Sequence, residues 1–119
     1  MQDINPDVST WKTQLRRGSL ELAVLLVLEK QRRYGLELVD LLNQAGLGIS
    51  EGAIYPLLSR LRADGKVTAE WVDEGVGHAH KYYDLTELGR ASLAAMREAW
   101  RELTTAFDRL TAIDTKDAR

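Results

Sequence analysis

The decisive stretch is SEGAIYPLLSRLRADGKVTAEWVDEGVGHAHKYYDLTELG, residues 50–89. Ile54, Leu57, Leu58 and Leu61 recur at helical spacing and define one apolar face, with Ser50 as a cap before it and Gly65 as a stop after it. Val67, Ala69 and Trp71 then alternate, as do Tyr83 and Leu85, and the tip Asp73 to His80 between them carries Gly75 and Gly77. Alternation on both sides of a glycine-punctuated turn predicts a β-hairpin. Thr86 caps a further helix. The order is helix, hairpin, helix.

Working outward, residues 1–9 carry the breakers Asn5 and Pro6 and read as a flexible start. Ser9 or Thr10 can cap a helix beginning near Trp11, which becomes apolar almost all round from Leu20 to Leu28 and must therefore be buried on more than one side. Gln31 to Gly35 breaks it. A second helix, about Leu36 to Ala45, buries Leu38, Leu41 and Leu42, and Gly46 is a left-handed stop. Two short helices and a tight turn before the hairpin make the plan of a winged helix-turn-helix. The expected class is mainly α with a small β-hairpin. The winged unit spans residues 10–89, a dimerisation helix 90–112 and a polar tail 113–119, with the first helix joining the dimer contact.

Composition limits the alternatives. With 119 residues one domain is expected, and 45% hydrophobic residues suffice for a core. The apolar run Leu20 to Leu28 is interrupted by Glu21 and falls far short of the roughly 18 residues a membrane span needs. Asp3 and Asp7 precede it, unlike the basic start of a secretory signal. There is no cysteine, so a reducing, cytoplasmic setting is expected. The net charge of -2 does not by itself announce nucleic acid, yet Arg60, Arg62, Lys66 and Lys81 gather around the third helix and hairpin. Nothing in the chain assembles a catalytic set or a phosphate loop, and no enzyme activity or cofactor is expected.

With Ile54, Leu57, Leu58 and Leu61 inward, the opposite face of the third helix is Gly52, Pro56, Ser59 and Ala63, with Ala53 beside it. These side chains are small, which lets a helix approach a DNA groove closely. Tyr55 and Arg60 flank the face, and Arg62 lies further round. Arg60 is the flanking residue able to take guanine with two hydrogen bonds; no Asn or Gln on this helix can read adenine. Direct base readout should be sparse, with phosphate contacts and DNA shape carrying much of the specificity. Pro56 is the sixth residue after the Ser50 cap. It either sits inside the helix, at a cost of about 3 kcal/mol, or the regular helix begins only at Tyr55.

These residues resemble a known family. Ile54-Tyr55-Pro56-Leu57-Leu58, Arg60-Leu61, Asp64-Gly65, Lys81-Tyr82-Tyr83, Leu85-Thr86 and Gly89 look like the PadR family of bacterial transcription regulators. Gly18-Ser19-Leu20-Glu21-Leu22 and Tyr34-Gly35 fit the same pattern, so the resemblance covers about residues 10–112. It implies a winged helix, a homodimer and, usually, repression by binding inverted-repeat operators. The single C-terminal helix is similar to the short-tailed subgroup. The resemblance places Ser50, Tyr55, Pro56 and Arg60 on the recognition helix, Tyr34 near the DNA backbone, and a basic wing at His78 to Tyr82.

The wing departs from that pattern, with Gly77-His78-Ala79-His80 ahead of Lys81 and Tyr82 where arginine is common. Histidine titrates near about pH 6.5, so wing contacts through His78 and His80 should tighten from about pH 8 to about pH 6. Two histidines without a third ligand do not make a metal site.

Leu93, Met96, Trp100, Leu103, Phe107 and Leu110 follow each other at heptad-like spacing on the last helix. So many large apolar residues on one face predict a subunit interface, joined by Trp11 and Leu15. Trp100 admits two readings, a dimer-core residue or half of an indole pair that clamps a small planar aromatic effector. The overall expectation is a sequence-specific, homodimeric DNA-binding regulator. A winged helix used only for protein–protein contact is the alternative.

Overall fold

The computed structural model describes residues 3–114. Residues 115–119 of the expected tail and residues 1–2 of the expected flexible start lie outside it. The elements are α1 (Ser9–Lys30), β1 (Arg33–Tyr34), α2 (Gly35–Gln44), α3 (Glu51–Ala63), β2 (Val67–Asp73), β3 (Ala79–Leu85) and α4 (Glu87–Thr111). Among the described residues no helix is long and apolar enough to cross a membrane.

The helix α1 begins two residues before Trp11, and its start is fixed by Asp7, whose carboxylate accepts from the Ser9 backbone N–H at 2.9 Å and from the Ser9 hydroxyl at 2.6 Å. Leu38, Val39 and Leu42 form the buried face of α2, while Leu41 is only half-buried. The inward arc is thus centred one step round from the expected one, because α2 contacts both α1 and α3. The turn into α3 is held by Asn43, whose amide donates to the Ile49 carbonyl at 2.9 Å and whose oxygen accepts from the Ile49 N–H at 2.5 Å. Gly46 turns the chain there with φ 94°, a conformation open to glycine at little cost.

Pro56 stands inside α3. The alternative in which the helix starts at Tyr55 is therefore excluded. The cost of about 3 kcal/mol is offset by the anchors around it, since Ile54, Leu57, Leu58 and Leu61 are all buried and each contributes about 1.5–3 kcal/mol.

The hairpin is not alone. β1 pairs antiparallel with β3, Arg33 opposite Tyr83 and Tyr34 opposite Tyr82, giving a three-stranded sheet in the order β1-β3-β2. The expected break between the first two helices is thus a strand. Along β2 and β3 the register runs from Val67 opposite Leu85 to Asp73 opposite Ala79. Val67, Tyr83 and Leu85 join the core, whereas Trp71, next on the same face, has run past the core's edge and is 68% exposed.

Thr86 closes the sheet base onto both neighbouring helices. Its oxygen accepts from the Gly89 N–H at 3.0 Å, its hydroxyl donates to the Gly65 carbonyl at 2.6 Å, and its N–H donates to the Lys66 carbonyl at 3.1 Å. Gly89 must lack a side chain because a Cβ there would stand 2.1 Å from the Lys66 carbonyl oxygen. Gly89→Ala should therefore destabilise the fold by about 1–3 kcal/mol in urea unfolding, far beyond the small gain in helix propensity that alanine brings. Equal stability would show that the α3–β2 corner is looser than described.

Candidate nucleic-acid interface

The outer face of α3 is bare. Gly52, Ala53, Pro56, Ser59 and Ala63 are exposed, and proline's missing N–H leaves the Gly52 carbonyl without its helical donor. On the α1 side, a cleft of about 530 Å³ is lined by Arg16, Arg17, Ser50, Ala53, Pro56 and Arg60. On the hairpin side, a cleft of about 430 Å³ is lined by Tyr34, Tyr55, Ser59, Trp71, Lys81 and Tyr83. Arg62 is close enough to Tyr83 to oppose the upward push that burial gives its phenol.

Tyr55 reaches over Gly35, and a Cβ on that glycine would come within 2.5 Å of the Tyr55 ring. The Tyr34-Gly35 pair therefore has a packing reason: it makes room for an aromatic side chain of the exposed helix. Ser50 occupies the N-cap position of α3, but its side chain forms no capping hydrogen bond.

Arg60 does not lie free on the outer face. Its guanidinium pairs with Glu21 of α1 at 2.9 Å, and the other oxygen of Glu21 pairs with Lys66 at 3.1 Å. No sequence pattern reveals this partner, or places Arg16, Arg17 and Trp71 beside α3. Glu21 and Arg60 are far apart in the chain, and no local pattern links them.

The wing histidines separate. β3 begins at Ala79, which leaves His78 in the turn, where its N–H donates to the Gly75 carbonyl at 3.0 Å. His80 stacks on Tyr34, ring centroids 4.2 Å apart, and meets Glu74 at 3.1 Å. Glu74 also accepts from the Tyr82 hydroxyl. Arg32 lies over the Tyr82 ring at 4.9 Å, and Lys81 over that of Tyr83 at 5.9 Å. His80 thus faces an aromatic and acidic cluster, and His78 is the wing histidine at the tip. Among the described residues no group of three metal-ligating side chains exists.

On the remaining face, α1 and α4 frame a groove of about 460 Å³ lined by Trp11, Leu15, Leu22, Met96, Trp100 and Leu103. Leu93 is a correction to the expected seam. It is buried in its own domain, because the first turns of α4 pack on the core. Met96 is half-buried against the same core, whereas Trp100, Leu103, Phe107 and Leu110 stand exposed, the last two at 56% and 62%.

A helix anchored by one face, preceded by a clamped turn and flanked by a hairpin, defines a winged helix. The chain is a member of the PadR-like family of transcriptional regulators, whose model matches residues 24–95. It is 35% identical over 92 residues to the transcriptional regulator Rv3488 of Mycobacterium tuberculosis, covering 76% of this chain and 83% of that one. Among solved structures it is similar to a PadR family transcriptional regulator from Eggerthella lenta, with a TM-score of 0.82, 34% identity, and 90% and 94% of the two chains covered. A PadR-like regulator from Bacillus cereus gives a TM-score of 0.77 at 30% identity, with 85% and 99% covered.

The cluster at the wing has a measurable signature. The hydrogen bond to Glu74, with burial assisting, pushes the Tyr82 phenol up to about 12. The bonds from Tyr82 and His80 hold the Glu74 carboxyl below the usual glutamate value. A carboxyl lowered in the folded state supports the wing above its unfolded value and loses that support as pH falls through the folded one. The Tyr82 phenol should therefore titrate late in an ultraviolet titration, and Glu74→Gln should return it toward about 10 while leaving the burial-raised Tyr83 phenol in place. A titration that Glu74→Gln leaves unchanged would contradict the contact.

Proposed function

We propose that this chain is a sequence-specific DNA-binding regulator that grips an inverted-repeat operator as a homodimer and represses transcription there. The observation that carries the reading is the α3 surface: small side chains outward, four apolar anchors inward, and a cation-bearing cleft on each side. A helix so shaped can enter a major groove, with the hairpin beside it on the backbone. Gly52, Ala53, Tyr55, Pro56 and Ser59 form the closest surface. Ser50, Arg60, Arg62, Tyr34, Lys81, Tyr82 and the wing histidines surround it. The sparse base readers favour recognition through phosphates and DNA shape.

Dimerisation is supported by the shape of the chain. Its radius of gyration is 18.6 Å, against about 13.5 Å for a compact domain of this length. The excess comes from long α1 and α4, whose Trp11, Leu15, Trp100, Leu103, Phe107 and Leu110 stand exposed among the described residues. A second copy would supply it and set two α3 helices for two half-sites. Residues 10–89 are then the reading unit, and α4 beyond Leu93 the pairing helix. Trp100 lines the α1–α4 groove, and its first reading is a dimer-core residue; half of an indole pair that clamps a small planar aromatic effector is the second.

Two outcomes follow. Binding to a duplex of the DNA upstream of its own gene should weaken by about a thousandfold or more between 50 and 200 mM salt, as six or more phosphate contacts require. A shallow dependence would favour the protein–protein alternative. Leu103→Glu with Phe107→Glu should yield a folded monomer in sedimentation, because both positions are exposed in the single chain, and should lower affinity for the full site. A double variant that stays dimeric would place the interface elsewhere.

A further inference from the structure

Glu21 reaches from α1 to the recognition helix and shares its carboxylate between two cations. Oε1 accepts from the Arg60 guanidinium at 2.9 Å and Oε2 from the Lys66 ammonium at 3.1 Å. Burial pushes the Glu21 carboxyl up, but the hydrogen bonds from Lys66 and Arg60 overcome it, so the group lies below the usual glutamate value and is ionised at neutral pH. The two cations are unequally held. The side chains of Glu21 and Lys66 are 19% and 24% exposed, whereas that of Arg60 is 60% exposed.

This asymmetry decides what can move. Stripping a sheltered carboxylate of all its partners is costly, but an exposed ion pair is weak and easily exchanged. When Arg60 leaves, Glu21 keeps Lys66. Arg60 therefore has two available anions, Glu21 inside the protein and a nucleic acid outside it. It stands at the mouth of the cleft lined by Arg16 and Arg17, beside the bare face of α3.

We propose that Glu21 is an affinity-limiting positioning residue, an internal stand-in for phosphate that occupies Arg60 in the free protein and is displaced when Arg60 engages DNA. The assignment rests on the DNA-binding reading above. A random duplex offers Arg60 only backbone phosphate, an anion much like the carboxylate it already has. A correct site adds the fixed geometry of a two-bonded base edge or a well-placed phosphate. Every duplex that engages Arg60, random or specific, must first displace Glu21, so Glu21 lowers DNA affinity.

The test uses the full chain and a random-sequence duplex of about 30 base pairs, followed by fluorescence anisotropy over a salt series. Glu21→Gln should bind this duplex about fivefold or more tightly than wild type at low salt, with a salt slope steeper by about one counterion. In an Arg60→Ala background the same change should have no such effect, which separates freeing Arg60 from a general loss of negative charge. Should Glu21→Gln fail to fold, Glu21→Asp keeps the charge but is one methylene shorter and loosens the pair with Arg60, and a smaller gain in affinity is expected. Unchanged or weaker binding by the folded variant, or an equal gain without Arg60, overturns the assignment while leaving DNA binding intact. Failure of the wild type to bind any duplex overturns the DNA-binding reading and this assignment with it.

Discussion

Ile54, Leu57, Leu58 and Leu61 hold α3 by one face, and the arrangement of the rest of the molecule follows from that one-sided grip. The anchors meet a core built from Val24, Leu25 and Leu28 of α1, Leu38, Val39 and Leu42 of α2, and Val67, Tyr83 and Leu85 of the sheet. Because the anchoring energy is gathered on one side, the other side can be filled with glycine, alanine, serine and even an interior proline without loss of the helix. A helix gripped all round would be more secure but would have no surface to offer.

The surroundings of α3 complete this design in two directions. The Asn43 clamp on Ile49 fixes where the helix begins, and the Thr86 bonds to Gly65, Lys66 and Gly89 fix where it ends relative to the hairpin and α4. The exposed helix is thereby rigidly placed although it is packed on one face only. The glycines serve the same purpose at close range: Gly35 yields space to Tyr55, and Gly89 yields space to the Lys66 carbonyl. Precision in position is what these contacts supply to α3.

Much of this was legible in the sequence wherever a single element carried its own period. The apolar stripe of α3, the alternating strands of the hairpin, the Thr86 cap and the Gly46 turn are all local patterns, and each lies where the spacing predicted. The failures are of another kind. β1 is two residues long, too short to show alternation, and exists only because β3 lies beside it. Leu93 carried the same heptad spacing as Trp100, and spacing does not say which partner, the chain's own core or a second copy, covers a given turn. The Arg60–Glu21–Lys66 triad and the His80–Tyr34–Glu74 cluster join residues from separate elements, so no window of sequence contains them. Local order was readable, and side-chain pairing across elements was not.

The central claim is that the bare face of α3 and the adjoining hairpin are the surface that meets DNA. The most direct measurement is amide shift mapping on the isotope-labelled chain as duplex from upstream of its own gene is added. The account predicts that the largest changes fall at Gly52, Ala53, Tyr55 and Ser59 and at Lys81 and Tyr82, with α4 beyond Met96 little altered. Changes confined to the α1–α4 groove, with α3 and the hairpin unmoved, would contradict it.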